Sequence, residues 1–235
     1  MNLIRKIALL VVWSIATAIS AQPQKVKNLP YIDLRRVHYG FMLGIHTQDL
    51  TFQHTGKMCD NGESWYAEIP DFSAGFSVGL LMDLAFTERL NLRFTPSMYF
   101  GSKNIYFLDA SSGEKITQDV KSNYLNLPVN FRYSALRVNN YRPYLMAGVN
   151  PSLDLSKRKE TPLVFKRFDV AIEVGAGCDL YLPFFKLVPE LKFSFGLLDL
   201  IEHKRKDLRD PTLIKYTDAI DKSRSRMVSL SFYFE

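Results

Sequence analysis

The sequence has little of what several common protein classes need. Only 2 of its 235 residues are cysteine, which excludes a disulfide scaffold and a cysteine-based zinc finger. Its 12 glycines and 11 prolines are too few for a collagenous or low-complexity chain. Beyond residue 20, no apolar run reaches the ~18 residues that a membrane-spanning helix needs. A helical membrane bundle is therefore excluded, whereas a β-barrel is not, because alternating strands average to neutral hydropathy.

The first 21 residues have the order of a secretion signal. Arg5 and Lys6 precede an apolar run, and small residues follow up to Ala21. We expect cleavage after Ala21. The predicted organisation is a signal peptide (1–21), a periplasmic N-terminal extension (22–37) and an outer-membrane barrel domain (38–235). The extension is expected to be a flexible tail or a docking strand for a partner. Removal of Arg5 and Lys6 with the signal peptide lowers the net charge from +6 to +4, which is too small and too dispersed to indicate nucleic-acid binding.

Beyond the signal peptide, the strongest pattern is a strict alternation of apolar and polar residues. Residues 90–101 alternate without a break, and a tilted membrane strand needs only about 9–11 residues. Eight such runs occur, over 39–48, 72–86, 90–101, 125–133, 141–150, 168–182, 190–197 and 228–234. A soluble barrel would turn the apolar face inward, and an outer-membrane barrel would turn it toward lipid. The other face is rich in Gly and Ser, which favours the narrow lumen of a small membrane barrel.

The segments between the runs alternate in length. Long connections at 52–71, 102–119, 152–166 and 199–225 alternate with short ones at 87–89, 134–140 and 183–186. The sequence therefore predicts an all-β fold, an eight-stranded antiparallel transmembrane β-barrel with short periplasmic turns and long outer loops. The predicted location is the outer membrane, crossed many times. Four prolines lie inside the runs or directly beside one, and we expect bulges or strand ends there: Pro96, Pro128, Pro143 and Pro189.

Charged residues on the inward face form the candidate functional set. The predicted lumen polar network contains Arg93, Arg132, Asp169, Glu173, Glu190 and Lys192. Unpaired charges in a dry interior cost several kcal/mol each, so we expect these side chains to pair. They could line an ion pathway, or they could plug the lumen. An eight-stranded barrel has little room beyond its own side chains, which favours the plug.

No pattern predicts a catalytic, cofactor or metal site. His38, His46 and His54 are eight residues apart, but no pair has the spacing of zinc ligands. No GxSxG motif is present. Ser97, His46 and Glu173 all point inward, yet no spacing connects them as a triad.

Two further local predictions concern the cysteines and the last long connection. Cys59 falls in an outer loop and Cys178 on the lipid face near the periplasmic end, too far apart for a disulfide. Asp210 followed by Pro211 is typical of a helix start, which predicts a short helix to about Lys222.

The sequence resembles the PorT family of Bacteroidota outer-membrane β-barrels. The resemblance covers almost all of the predicted mature chain, in HYGFMLGIHTQD (38–49), FSAGFSVGLLMDLAF (72–86), ERLNLRFTPSMYFGSKNIYF (88–107), YLNLPVNFRYSALR (124–137) and SLSFYFE (229–235). It implies a component of the type IX secretion machinery, which exports proteases and other cargo that can serve virulence. It implies no catalytic residues.

The expected role is therefore a non-enzymatic accessory or scaffold without a cofactor. Its expected partners are other type IX secretion components, together with membrane lipid and lipopolysaccharide. Three alternatives stay open. They are a lipid-modifying outer-membrane enzyme, an adhesion or stability barrel with ligand-binding loops at 102–119 and 199–225, and a soluble periplasmic lipid-binder.

Overall fold

The protein is described here from a computed structural model, which describes residues 26–54, 65–68, 74–109, 115–156, 165–201 and 220–235. The predicted signal peptide and its cleavage site lie outside these residues. A one-turn 3-10 helix, Ile32–Leu34, precedes the first strand. The strands are β1 (Val37–His54), β2 (Trp65–Glu68), β3 (Ala74–Ala85), β4 (Leu90–Phe94), β5 (Ser97–Asp109), β6 (Lys115–Asn126), β7 (Val129–Ser134), β8 (Tyr141–Asp154), β9 (Phe168–Tyr181), β10 (Lys186–Gly196) and β11 (Ile220–Phe234).

The strands close into a ring of antiparallel pairs. β1 pairs with β3 on one side and with β11 on the other, from Phe41 opposite Phe234 onward. β4 and β5 together occupy the third place in the ring, and β7 and β6 the fourth. β8, β9, β10 and β11 complete it. The predicted eight-stranded antiparallel barrel is confirmed. In the described part of the chain, no helix is long and apolar enough to cross a membrane.

Prolines divide two of the predicted runs. β4 ends before Pro96, and β6 ends before Pro128. The backbone nitrogen of proline carries no hydrogen, so it cannot donate a hydrogen bond to the neighbouring strand. The expectation of strand ends at these prolines is confirmed. Their carbonyls still accept bonds from neighbouring strands, as in Leu80 N to Pro96 O at 2.9 Å. The inward–outward alternation stays in phase across both breaks. Pro189 lies inside β10, where the β9–β10 pairing is interrupted between Leu187 and Glu190. At Pro143 the expectation is wrong, because this residue lies inside β8 and the β8–β9 register continues through it without a bulge.

The two faces of the wall differ in composition as predicted. Large apolar side chains such as Leu80, Leu145 and Phe131 are exposed on the outside. The inside carries the buried polar residues, among them Arg93 and Lys192, each 1% exposed. The outer surface is thus an apolar band, and the interior is polar.

The two ends of the barrel differ in their connections. At one end, here called the turn end, strands are joined by residues 86–89, 135–140 and 182–185. At the opposite loop end, the prediction of a long loop over 102–119 is wrong. β5 continues to Asp109 and β6 begins at Lys115, so this region is a paired ribbon.

Other strands at the loop end also exceed the predicted limits. β1 runs on to His54, and β2 pairs with β5 within the predicted first loop. β11 begins at Ile220, so the predicted helix cannot continue to Lys222. Residues 210–219 of that helix and Cys59 lie outside the described residues. Cys178 is a free, partly buried thiol.

The N-terminal extension has a definite place in the part that is described. Residues 26–36 pack over the turn end through several hydrogen bonds, for example from the Asn28 amide to the Tyr181 carbonyl at 2.9 Å. Within residues 26–36, the alternative of a flexible tail is wrong. β1 begins at Val37, the last residue assigned to the extension.

Candidate functional site

The polar interior is built around Arg93 on β4. The Arg93 guanidinium forms an ion pair with Asp83 on β3 at 3.0 Å and with Glu190 on β10 at 2.9 Å. Its carbon also lies 4.7 Å from the ring centre of Tyr233, within the range of a cation–π contact. Asn91, two residues before Arg93 on the same face, donates to Asp83 at 2.6 Å. Arg93 therefore neutralises two buried carboxylates from different sides of the lumen.

Arg132 on β7 continues this cluster toward the turn end. It lies 3.5 Å from Asp83 and donates to Asp179 on β9. Its guanidinium stacks over the ring of Tyr144, 3.8 Å from the ring centre. Arg93 and Arg132 carry like charges, so the shared Asp83 between them offsets their repulsion.

Two tyrosines complete the shell around Glu190. Tyr144 donates its hydroxyl hydrogen to Glu190 Oε2 at 2.6 Å, and Tyr233 donates to Oε1 at 2.8 Å. With Arg93 also bound, both oxygens of this fully buried carboxylate have partners. Such complete pairing is what a charge in a dry interior requires.

A second cluster lies nearer the loop end, around Glu173 on β9. Lys192 on β10 approaches Glu173 Oε2 to 3.3 Å. Amide groups of Asn130 and Asn150 donate to the same carboxylate at 3.1 and 2.9 Å, and the Ser194 hydroxyl donates at 3.1 Å. Lys192 and Glu173 are each 1% exposed, so this pair is closed off from water.

Asp169 lies apart from both clusters, at the loop-end margin of the lumen. Its carboxylate accepts from the Ser225 hydroxyl at 2.6 Å and from the amide of Val170. A cavity of about 30 Å³ lies beside it, lined by polar groups that include Gln48 and Asn150. This volume holds one or two water molecules.

Of the six predicted network residues, the structure thus brings Arg93 together with Glu190 and Lys192 with Glu173, while Arg132 joins through Asp83.

The residues considered for catalysis serve other contacts. His46 stacks on Tyr99 with ring centres 4.7 Å apart, and the Gln48 amide lies 3.3 Å from His46 Nε2. Glu173 is engaged by Lys192, and Ser97 is buried in β5. Across the described ranges, no group of three His, Cys, Asp or Glu side chains is arranged to hold a metal ion.

A third ionic cluster closes the turn end, and the sequence reasoning missed it. Glu235, which follows the end of β11, contacts His38 Nδ1 at 2.5 Å and Lys186 Nζ at 2.6 Å. Burial raises the pKa of Glu235, but the His38 hydrogen bond and the Lys186 charge outweigh it and lower the pKa to about 2. His38 Nε2 also lies 3.0 Å from the Arg35 carbonyl, so the cluster reaches the N-terminal segment.

The prediction also left Asp83, Asp179, Tyr144 and Tyr233 out of the network. The alternation places Asp83 and Asp179 on the inward face, and that signal could have included them. Nothing in the sequence pattern indicates that the two tyrosines bind Glu190, because that contact joins strands far apart in the chain.

Three solved structures of outer-membrane proteins are distantly similar to the chain. Neisserial surface protein A is 9% identical, with 85% of this chain and 98% of that chain covered at a TM-score of 0.42. OprG from Pseudomonas aeruginosa is 12% identical, with coverage of 91% and 96% and a TM-score of 0.41. Ail of Yersinia pestis is 12% identical, with coverage of 85% and 99% and a TM-score of 0.36.

The family of the chain is shown by a family model that matches residues 20–202. No curated protein is significantly similar to the chain. The model of the outer membrane protein beta-barrel domain family matches residues 20–202, which is most of the sequence. That match agrees with the closed ring, the apolar exterior and the polar interior. The chain belongs to the outer membrane protein beta-barrel domain family.

Proposed function

We propose that the protein is a non-enzymatic outer-membrane component required for export by the type IX secretion system. The single observation that carries the accessory role is the filled lumen. Arg93, Glu190 and Tyr144 meet at its centre in direct contact. A barrel of this size, closed in this way, has no passage for a folded protein. The protein then serves by binding or scaffolding a larger channel.

The choice of secretion system rests on the resemblance to the PorT family. The stretches that carry it include β3 and the inward Arg93 and Arg132, so they contribute to the wall and to the ionic core. The proposed partners are other components of that system, together with the surrounding lipid and lipopolysaccharide.

Deletion of the gene tests this role. We expect the exported cargo to accumulate in the periplasm, measured by fractionation and protease activity in the culture medium. The matched control is complementation with the wild-type gene, which restores export. Normal export by the deletion strain would contradict the proposal.

A second candidate, an adhesion barrel, is favoured by the β5–β6 ribbon. Pairing with the rest of the wall ends at Phe100 on β5 and begins at Tyr124 on β6. The ribbon itself continues from Gly101 opposite Ser122 to Leu108 opposite Lys115. At ~3.4 Å per residue, it projects on the order of 25 Å beyond the wall. Removal of residues 103–120 should abolish ligand binding but leave secretion intact if adhesion is the function.

A further inference from the structure

The segment 26–36 crosses the mouth of the barrel at the turn end. It leaves the start of β1, where His38 contacts the Arg35 carbonyl. At its other end, the Asn28 amide N–H donates to Asn140 Oδ1 at 2.9 Å, in the turn before β8. β8 is the fifth strand of the eight-membered ring when β1 is the first, so these anchors stand on opposite sides. The segment therefore lies over the lumen and not along the lipid-facing wall.

Asp33 and Arg137 hold the segment in place. Asp33 accepts from the Tyr181 hydroxyl at 2.6 Å and from Arg137 Nη1 at 3.2 Å. Arg137 also donates to the Asn28 carbonyl, and its guanidinium lies 3.6 Å from the centre of the Tyr181 ring. Arg142 lies 3.5 Å from Asp33. The side of the segment that carries Asp33 thus faces the barrel.

The opposite side presents apolar residues to water. In a 3-10 helix, residues three apart lie on one face, which aligns Tyr31 with Leu34 and separates both from Asp33. Tyr31 is 76% exposed and Leu34 is 77% exposed. Because the segment covers the mouth, this face points along the barrel axis, away from the lipid. Contact with lipid explains apolar side chains on the wall of a membrane barrel. Apolar side chains that are clustered and face water have no such explanation, and they are typical of an interaction site.

A hollow of about 430 Å³ adjoins this face. It is lined by Tyr31, Ile32 and Arg35 of the segment and by Phe184 of the β9–β10 turn. Phe184 is 92% exposed. The hollow is large enough for one or two apolar side chains of a partner.

The charge of the segment indicates the sign of the charge that a partner should carry. Lys27, Arg35 and Arg36 are exposed, and the one acidic residue of the segment is Asp33. Asp33 is already paired with Arg137 and Arg142. Glu235 also lines the hollow, but its carboxylate is buried and paired with His38 and Lys186. The exposed charge of the segment is therefore positive, and an acidic partner complements it.

We infer that Tyr31, Leu34, Arg35 and Phe184, the cap surface, dock an acidic and apolar peptide segment of a periplasmic protein. This inference rests on the proposed function, in which the barrel acts by binding a partner, and on the turn end facing the periplasm, as short turns do in this class. It names the surface used and the chemistry that fits it.

The test uses the full chain in lipid nanodiscs and a fluorescent synthetic peptide of alternating Glu and Leu residues. We expect saturable binding that weakens with salt and is at least tenfold weaker for a matched peptide with Lys in place of Glu. The double variant Tyr31→Ser/Leu34→Ser should bind at least tenfold more weakly. Leu136→Ser is the matched control, since Leu136 is also exposed at the turn end but lies outside the segment. It should bind as the wild type does.

Charge reversal keeps the test independent of folding. The variant Arg35→Glu/Arg36→Glu should no longer bind the Glu peptide and should bind the Lys peptide instead. An unfolded variant cannot show this reversal of preference. Equal binding of both peptides, or no effect of Tyr31→Ser/Leu34→Ser, overturns the inference. Quenching of Tyr31→Trp fluorescence by brominated lipid, beyond the wild-type background, would place the cap surface in the bilayer and also overturn it.

The result is separable from the proposed secretion role. If the deletion strain fails to export cargo but the peptide does not bind, only the cap surface is contradicted. If the peptide binds but the deletion strain exports normally, the secretion role is contradicted and the docking surface stands.

Discussion

Arg93 and Glu190 lie 97 residues apart in the sequence and form a 2.9 Å ion pair across the lumen. Arg93 is on β4, in the third place of the ring, and Glu190 is on β10, in the seventh, so the pair joins opposite walls. A connection of this kind braces the barrel from within. It also obstructs the path that an ion would need.

Lys192 and Glu173 allow the energy of such a pair to be measured. Lys192→Met leaves the Glu173 carboxylate buried without its cation, and we expect a loss of about 3–5 kcal/mol of stability. The double variant Lys192→Met/Glu173→Gln should recover much of that loss, because no charge then stays unpaired. Urea unfolding of the barrel in detergent measures both. Equal stability of the single and double variants would contradict the interpretation.

Lysine substitutions test which face meets lipid. Phe94, Leu127 and Phe193 point outward from the wall and are exposed. A lysine at any of them should cost about 2–4 kcal/mol near the middle of the membrane and reduce the amount of assembled barrel. Leu136→Lys, in the turn 135–140, is the control and should assemble normally. Heat-dependent mobility in gels of outer-membrane fractions reports the outcome.

Gly75 and Gly101 form a matched pair beside His46. A Cβ on Gly75 would lie 2.4 Å from His46 Nε2 and 2.5 Å from the Phe100 carbonyl oxygen, whereas a Cβ on Gly101 would lie 3.6 Å from His46 Nε2. Gly75→Ala should therefore cost about 1–3 kcal/mol, and Gly101→Ala should be tolerated. Adding His46→Ala should not rescue Gly75→Ala, because the backbone clash persists. Thermal melting followed by circular dichroism compares the variants.

The lowered pKa of Glu235 predicts that the folded protein loses stability in acid. Its pKa in the folded protein is about 2, against an ordinary value of 4.5, because the contacts with His38 and Lys186 outweigh the effect of burial. A lowered folded pKa stabilises the fold above pH 4.5, and this stabilisation disappears as the pH falls toward 2. The loss amounts to about 3 kcal/mol. The melting temperature of Glu235→Gln should fall less over that pH range than that of the wild type.

Arg137→Ala tests what holds the N-terminal segment. It removes the contacts of Arg137 with Asp33 and with the Asn28 and Leu29 carbonyls, so the segment should be held less tightly and leave the barrel more often. Trypsin should then cleave after Arg35 or Arg36 at least several-fold faster, measured by mass spectrometry. Arg89→Ala is the control, since Arg89 is also exposed at the turn end. Unchanged cleavage of Arg137→Ala would show that other contacts hold the segment.

The sequence predicted the barrel wall because that wall separates lipid from a polar interior. Where one face of a strand contacts lipid and the other contacts the polar lumen, apolar and polar residues alternate, as at Phe94 and Thr95. The β5–β6 ribbon was missed for the same reason. Beyond the wall neither face meets lipid, and the sequence there runs through Tyr106, Phe107 and Leu108 without alternation.

The contacts that close the turn end could not be read from a single sequence. Asp33 and Tyr181 are 148 residues apart, and His38 and Glu235 lie near opposite ends of the chain. Each is an ordinary polar residue in its local context. Only the closure of the ring brings them together, so no local periodicity or motif could indicate them.

The pairing of β1 with β11 also determines the order of assembly. The earliest strand of the wall must wait for the latest one before its backbone groups are satisfied. Until then it carries an open edge and an oily flank through the aqueous compartment, where both invite aggregation. We therefore expect that β1 completes its pairing only after β11 has been synthesised, and that the unpaired edge is prone to aggregation until then.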